Sequence, residues 1–73
     1  MTEYVVTITV CKHGSCDRLY TSAVMSKKRA EEKWKRLMTG AENYGQFLFD
    51  PHSEGVMLSM WKDGQKCRTM QLN

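Results

Sequence analysis

Three thiols and two imidazoles are the side chains of this chain best suited to metal or nucleophilic chemistry. Cys11, His13 and Cys16 fall within Cys11-Lys12-His13-Gly14-Ser15-Cys16, while Cys67 and His52 stand apart. Thiolate sulfur and imidazole nitrogen together suit zinc, so the short block has the composition of a metal half-site that Cys67 or His52 would complete. The spacing, however, matches no paired-cysteine knuckle. Buried or incidental thiols are the reading carried forward, with no metal and no other cofactor expected. Nucleophilic use of Cys16 with His13 or His52 would need a thiolate, an oriented base and an oxyanion site in a concave pocket. A chain of 73 residues has little material for such a pocket, and it carries no phosphate-cradling glycine loop. No catalytic residue is assigned, and the expectation is a protein that is not an enzyme.

The same counts bound its setting. Three cysteines are an odd number, and MTEYVVTITV lacks the charged start, apolar run and cleavage site of a secretory signal. A reduced, cytoplasmic location is expected. The apolar runs are far shorter than the roughly twenty residues that span a bilayer, so no membrane partner is expected. Eleven Lys and Arg against eight Asp and Glu leave a net charge of +3, a mild bias toward an acidic partner.

Those side chains must be positioned by a single domain over residues 1–73, near the lower size at which one core offsets the entropy of ordering the chain. The organising stretch is Ser26 to Thr39, the one segment with helical period. Ala30, Trp34, Leu37 and Met38, with Ala41 beyond, make an apolar stripe. Ser26 is an N-cap and Gly40 a stop. The other face carries Lys27, Lys28, Arg29, Lys33, Lys35 and Arg36 against Glu31 and Glu32. Three of these cations occupy the first turn, where the helix dipole disfavours positive charge, so a role in binding is a natural explanation. Glu31 to Lys35 and Glu32 to Arg36 have the acid-first order that stabilises a helix.

Around the helix lie β-branched and aromatic runs. Glu3 to Cys11 alternates Tyr4, Val6, Ile8 and Val10 against Val5, Thr7 and Thr9. Lys12 to Asp17 reads as a turn and Arg18 to Ala23 as a returning strand. Gly45 to Phe49 reads as a further strand, Asp50 to Gly55 as a turn, and Val56 to Trp61 and Lys66 to Leu72 as a hairpin closed at Asp63-Gly64. The expected fold is α+β: an antiparallel sheet of four to five strands with one helix packed on one face, in the order ββαβββ. No internal repeat is visible. A two-residue turn pairs Trp61 with Lys66, Met60 with Cys67, Ser59 with Arg68, Leu58 with Thr69 and Met57 with Met70. Val56, Leu58, Met60, Cys67 and Thr69 then lie under the helix. Met57, Trp61, Lys66, Arg68 and Met70, joined by Tyr20 and Arg18, form an uncovered face whose composition is that of interface cores.

Val24 to Trp34 and Met60 to Cys67 carry a resemblance at the level of element order. A small basic chain with a hairpin, an amphipathic helix and a closing Trp-Lys-Asp-Gly hairpin resembles phage-encoded inhibitors, and within them type I anti-CRISPR proteins of ββαββ build; it is also similar to small phage inhibitors of host RNA polymerase. The additional strand and the Cys-His-Cys turn depart from them. The resemblance implies a phage-derived inhibitor in the cytoplasm of a bacterial host that occludes a surface of a larger host complex, such as a Cas surveillance complex. Partner contact is expected through Lys27, Lys28, Arg29, Lys33 and Arg36, or through Tyr20, Trp61, Lys66 and Arg68. Direct RNA or DNA binding by those residues is the alternative, and a homodimer through the open face is a third possibility alongside the monomer.

Overall fold

The computed structural model describes residues 2–39 and 55–72. The expected Gly45 to Phe49 strand, Gly40, Ala41, His52 and all but the end of the Asp50 to Gly55 turn lie outside the described residues. Within them the chain runs β1 (Tyr4–Lys12), β2 (Ser15–Thr21), α1 (Lys27–Met38), β3 (Gly55–Lys62) and β4 (Gln65–Gln71). All neighbouring strands are antiparallel, in the order β2-β1-β3-β4. This is the α+β arrangement expected, with one helix against one sheet. Among the described residues no helix is long and apolar enough to cross a membrane.

Alternation in β1 works as read: Tyr4, Val6, Ile8 and Val10 are buried, opposite Val56, Leu58 and Met60 of β3. Ala30, Trp34 and Leu37 close the core from the helix side, and full burial of each large aliphatic among them contributes about 1.5–3 kcal/mol. Met38, expected in the stripe, is exposed; it lies past Leu37 on the helix surface. Ser26 caps the helix through Arg29, and at the other end the Thr39 hydroxyl and backbone N–H both donate to the Lys35 carbonyl, each at 2.9 Å. Thr39 thus closes the last turn at the position before the expected Gly40 stop.

The first turn is tighter than expected. It consists of His13 and Gly14 alone, at φ 51° and 81°, so β2 begins at Ser15 rather than Arg18. The second turn, Asp63 and Gly64, has φ 48° and 83°. Both have the left-handed geometry that matches strand twist in a two-residue hairpin, where glycine fits at little cost. The match extends along both hairpins. Val6, Ile8, Lys12, Gly14 and Arg18 have counterparts fifty positions on in Val56, Leu58, Lys62, Gly64 and Arg68. Ile8 pairs with Leu58, its own counterpart, so a pseudo-two-fold axis passes between them. The two hairpins are therefore arranged with approximate two-fold symmetry about that central pair.

Each edge strand carries one β-bulge, and the two bulges break the symmetry. In β2, Ile8 pairs with Tyr20 and Thr9 with Arg18, leaving Leu19 extra; in β4, Trp61 pairs with Lys66 and Met60 with Arg68, leaving Cys67 extra. Side chains alternate, so one extra residue transfers everything beyond it to the other face. Met70 and Arg68 consequently lie on the helix side, opposite Leu58 and Met60, while Thr69 pairs with Ser59 on the far side. Tyr20 also packs against the core. The expected placement of Tyr20, Arg68 and Met70 on the open face, and of Cys67 and Thr69 under the helix, is corrected accordingly.

Candidate functional site

The helix cations divide into two groups. Lys27 and Lys28 stand exposed in a first turn that has no acidic residue. Arg29, Lys33 and Arg36 follow one another at intervals of four and three residues and line a cleft of about 520 Å³ with Glu32. The opposite wall is the connection from β2 to α1. Ser22 shapes that wall: its hydroxyl accepts from the Val6 N–H at 2.9 Å and donates to the Ala23 carbonyl at 3.0 Å, while its own N–H donates to the Val6 carbonyl. The chain then swings outward before Met25 returns to Tyr4 through a pair of backbone hydrogen bonds. Val24, on the swing, is 58% exposed. Tyr20 lines the cleft too, with the Lys33 ammonium 5.3 Å from its ring centre.

Arg68 is held elsewhere on this side of the sheet. Its guanidinium donates two hydrogen bonds to Glu31, at 2.8 and 2.9 Å, and lies 5.1 Å from the Trp34 ring centre. The bond to Arg68 lowers the Glu31 pKa from its usual carboxylate value, with weaker help from Lys27 and Lys35. Glu31 therefore braces the helix against β4 as well as standing one turn before Lys35.

On the other face, the indole N–H of Trp61 donates to the Thr7 hydroxyl at 2.9 Å. Arg18 approaches the ring at 4.8 Å and Lys66 at 5.4 Å. Thr7 and Ser59 are buried on this face, and Ser59 shares a hydrogen bond with Thr69 at 3.1 Å. The face expected to have nothing covering it is thus partly closed by the chain's own tryptophan. A second cleft, about 470 Å³, remains beside it between Val5, Arg18, Thr21 and Trp61.

At the hairpin tip Cys11 and Cys16 are register partners with Cα atoms 4.0 Å apart, and they form a disulfide. This corrects their reading as incidental thiols. The signal lay in His13-Gly14: once that pair is recognised as a two-residue turn, Cys11 must face Cys16. Cys67 is a free, exposed thiol on the β4 bulge rather than a core residue. β2 and β4 form opposite edges of the sheet, three strand spacings or roughly 14 Å apart, so Cys67 cannot complete a site at the hairpin tip. Among the described residues no group of three or more His, Cys, Asp or Glu is placed to hold a metal.

Of the residues expected to meet a partner, the fold brings Tyr20, Arg29, Lys33 and Arg36 to one cleft, leaves Lys27 and Lys28 at its end of the helix, and separates Trp61 and Lys66 onto the other face. Val24 was not among them, while Arg18 lies beside Trp61 on the face where the sequence reading put it. Comparison of the chain with protein-family models, with curated proteins and with solved structures finds no match in any of the three.

Proposed function

We propose that this chain is a non-enzymatic binding protein that docks its cationic helix on an acidic surface of a larger complex and occludes it. One observation carries the reading: the helix contributes Ala30, Trp34 and Leu37 to the core, yet it keeps Lys27, Lys28 and Arg29 in a first turn without an acid. Those charges oppose the helix dipole, and a negative partner would reverse that penalty. The anti-CRISPR likeness makes the partner a Cas surveillance complex in the cytoplasm of a bacterial host. In that reducing compartment the Cys11–Cys16 bridge would be open, leaving β1 held by its pairing with β3.

The test is target-DNA binding by a purified type I Cas surveillance complex with and without the chain. Loss of DNA binding, restored when Lys27→Glu/Lys28→Glu replaces the natural chain, is the expected result. Undiminished DNA binding at large excess removes the Cas form of the proposal. Capture from nuclease-treated lysate, compared between the natural chain and this variant, then tests docking to other complexes.

A second reading, direct RNA or DNA binding, draws on Trp61 with Arg18 and Lys66 around it. It predicts steep weakening of oligonucleotide affinity with salt and quenching of Trp61. Arg18 and Lys66 over the ring count against it, because a stacking base would have to displace one of them.

A further inference from the structure

We infer that the cleft beside Trp61 binds a zwitterionic dipeptide, with its carboxylate at Arg18 and the Thr7 hydroxyl and its ammonium group at Glu3. The cleft opens on the face of the sheet away from α1, so this inference stands apart from the docking reading above.

Thr7 is 1% exposed, and its hydroxyl oxygen accepts the indole N–H of Trp61 at 2.9 Å. The hydrogen of that hydroxyl has no acceptor among the described residues, so the cleft wall contains a buried donor without a partner. Arg18 supplies further donors there. A guanidinium over a ring keeps its N–H groups available in its own plane, and among the described residues the Arg18 side chain makes no hydrogen bond or ion pair. Thr21, the register partner of Thr7, adds a second hydroxyl to the wall. Together these donors suit a carboxylate.

The other end of the cleft is acidic. One Asp63 oxygen already accepts from the Glu3 N–H at 2.8 Å, whereas the Glu3 carboxylate has no partner among the described residues. Two carboxylates and one guanidinium in the same cleft disfavour a plain anion and favour a ligand that carries both charges. Glu3 extends β1 by one residue, because its carbonyl accepts from the Asp63 N–H. It therefore stands four extended residues from Thr7, roughly 13 Å. A hydrogen bond at each end leaves about 7 Å, the length of two extended residues. Val5 lies between them as the register partner of Trp61 and gives one side chain of the ligand an apolar floor. The cleft of about 470 Å³ is open with Arg18 already over the indole, so the occupant displaces neither.

The probe is leucyl-leucine, titrated into the full isotope-labelled chain and followed through the Trp61 indole N–H and the backbone amides. Saturating shifts at that indole and at Thr7 and Arg18 are expected. The N-acetyl and C-terminal amide forms each lack one charge and should bind at least about tenfold more weakly. Arg18→Gln should erase the difference between the dipeptide and its amide, and Glu3→Gln the difference between the dipeptide and its acetyl form. Both side chains are exposed, so neither replacement opens the core. Absence of any shift at the Trp61 indole up to about 20 mM overturns the inference. Equal affinity for all three forms also overturns it, since the charged ends would then go unread. Free leucine binding as tightly as the dipeptide does the same, because the span would be one residue. Retention of both differences in the two variants would remove the site from Arg18 and Glu3.

Discussion

Arg68 grips Glu31 with both terminal nitrogens, Nη1 to Oε2 at 2.9 Å and Nη2 to Oε1 at 2.8 Å, across the space between β4 and α1. The two residues are 37 positions apart in the chain. Only the β4 bulge turns Arg68 toward the helix; its counterpart Arg18 reaches Trp61 on the opposite face.

That ion pair has a pH signature. The Glu31 pKa is lowered on folding, chiefly by the hydrogen bonds from Arg68, so its contribution is fully present above the ordinary glutamate range and is lost as pH falls through the lowered folded value. Thermal melts of the natural chain and Glu31→Gln should differ at neutral pH and converge in acid. The difference should be small, since the pair is solvent-exposed. A constant difference across the acid range would mean that Glu31 acts by packing.

Thr7 and Trp61 are the corresponding pair on the other face. Thr7→Val keeps the shape of a buried side chain but removes the acceptor of the indole N–H, at a cost of about 1 kcal/mol in chemical denaturation. In a Trp34→Phe background, which isolates Trp61, the emission should shift as the ring is released. An unchanged spectrum would show that Arg18 and the packing of the ring hold it without Thr7.

The disulfide should be dispensable for the fold. It joins register partners across a turn of two residues, and closing so short a loop contributes only about 2 kcal/mol on the chain-entropy account. β1 remains a central strand paired along its whole length with β3. Reduction should preserve the far-ultraviolet circular dichroism while lowering the denaturation midpoint. Thiol titration of the folded chain should find Cys67 alone before reduction and all three cysteines after it. Collapse of the spectrum on reduction would show that the bridge holds the sheet together.

The elements themselves were legible because their signals are local. The alternation in β1, the three-and-four spacing of Ala30, Trp34 and Leu37, the Ser26 cap and the Asp63-Gly64 turn each follow from backbone geometry within a few residues. They identified the helix, both hairpins and the strand residues that β1 and β3 bury. The Cys11–Cys16 pairing was also within reach, but His13-Gly14 was read as part of a longer turn, which hid the register.

What the sequence by itself determined is an α+β domain with a hairpin on either side of one cationic helix. Which face the edge-strand residues beyond each bulge occupy was decided only by tertiary structure. Leu19 and Cys67 look like ordinary strand residues in the sequence, and only the pairing of each edge strand with its central neighbour shows them to be the extra residues of bulges. From those two one-residue displacements follow the meeting of Arg68 with Glu31 and the turning of Tyr20 toward the core; Arg18, on the turn side of the β2 bulge, lies beside Trp61 as the hairpin pairing alone requires. The cleft has the same origin, since Val24 and Arg36 become neighbours only when the β2–α1 connection is folded against the helix it introduces.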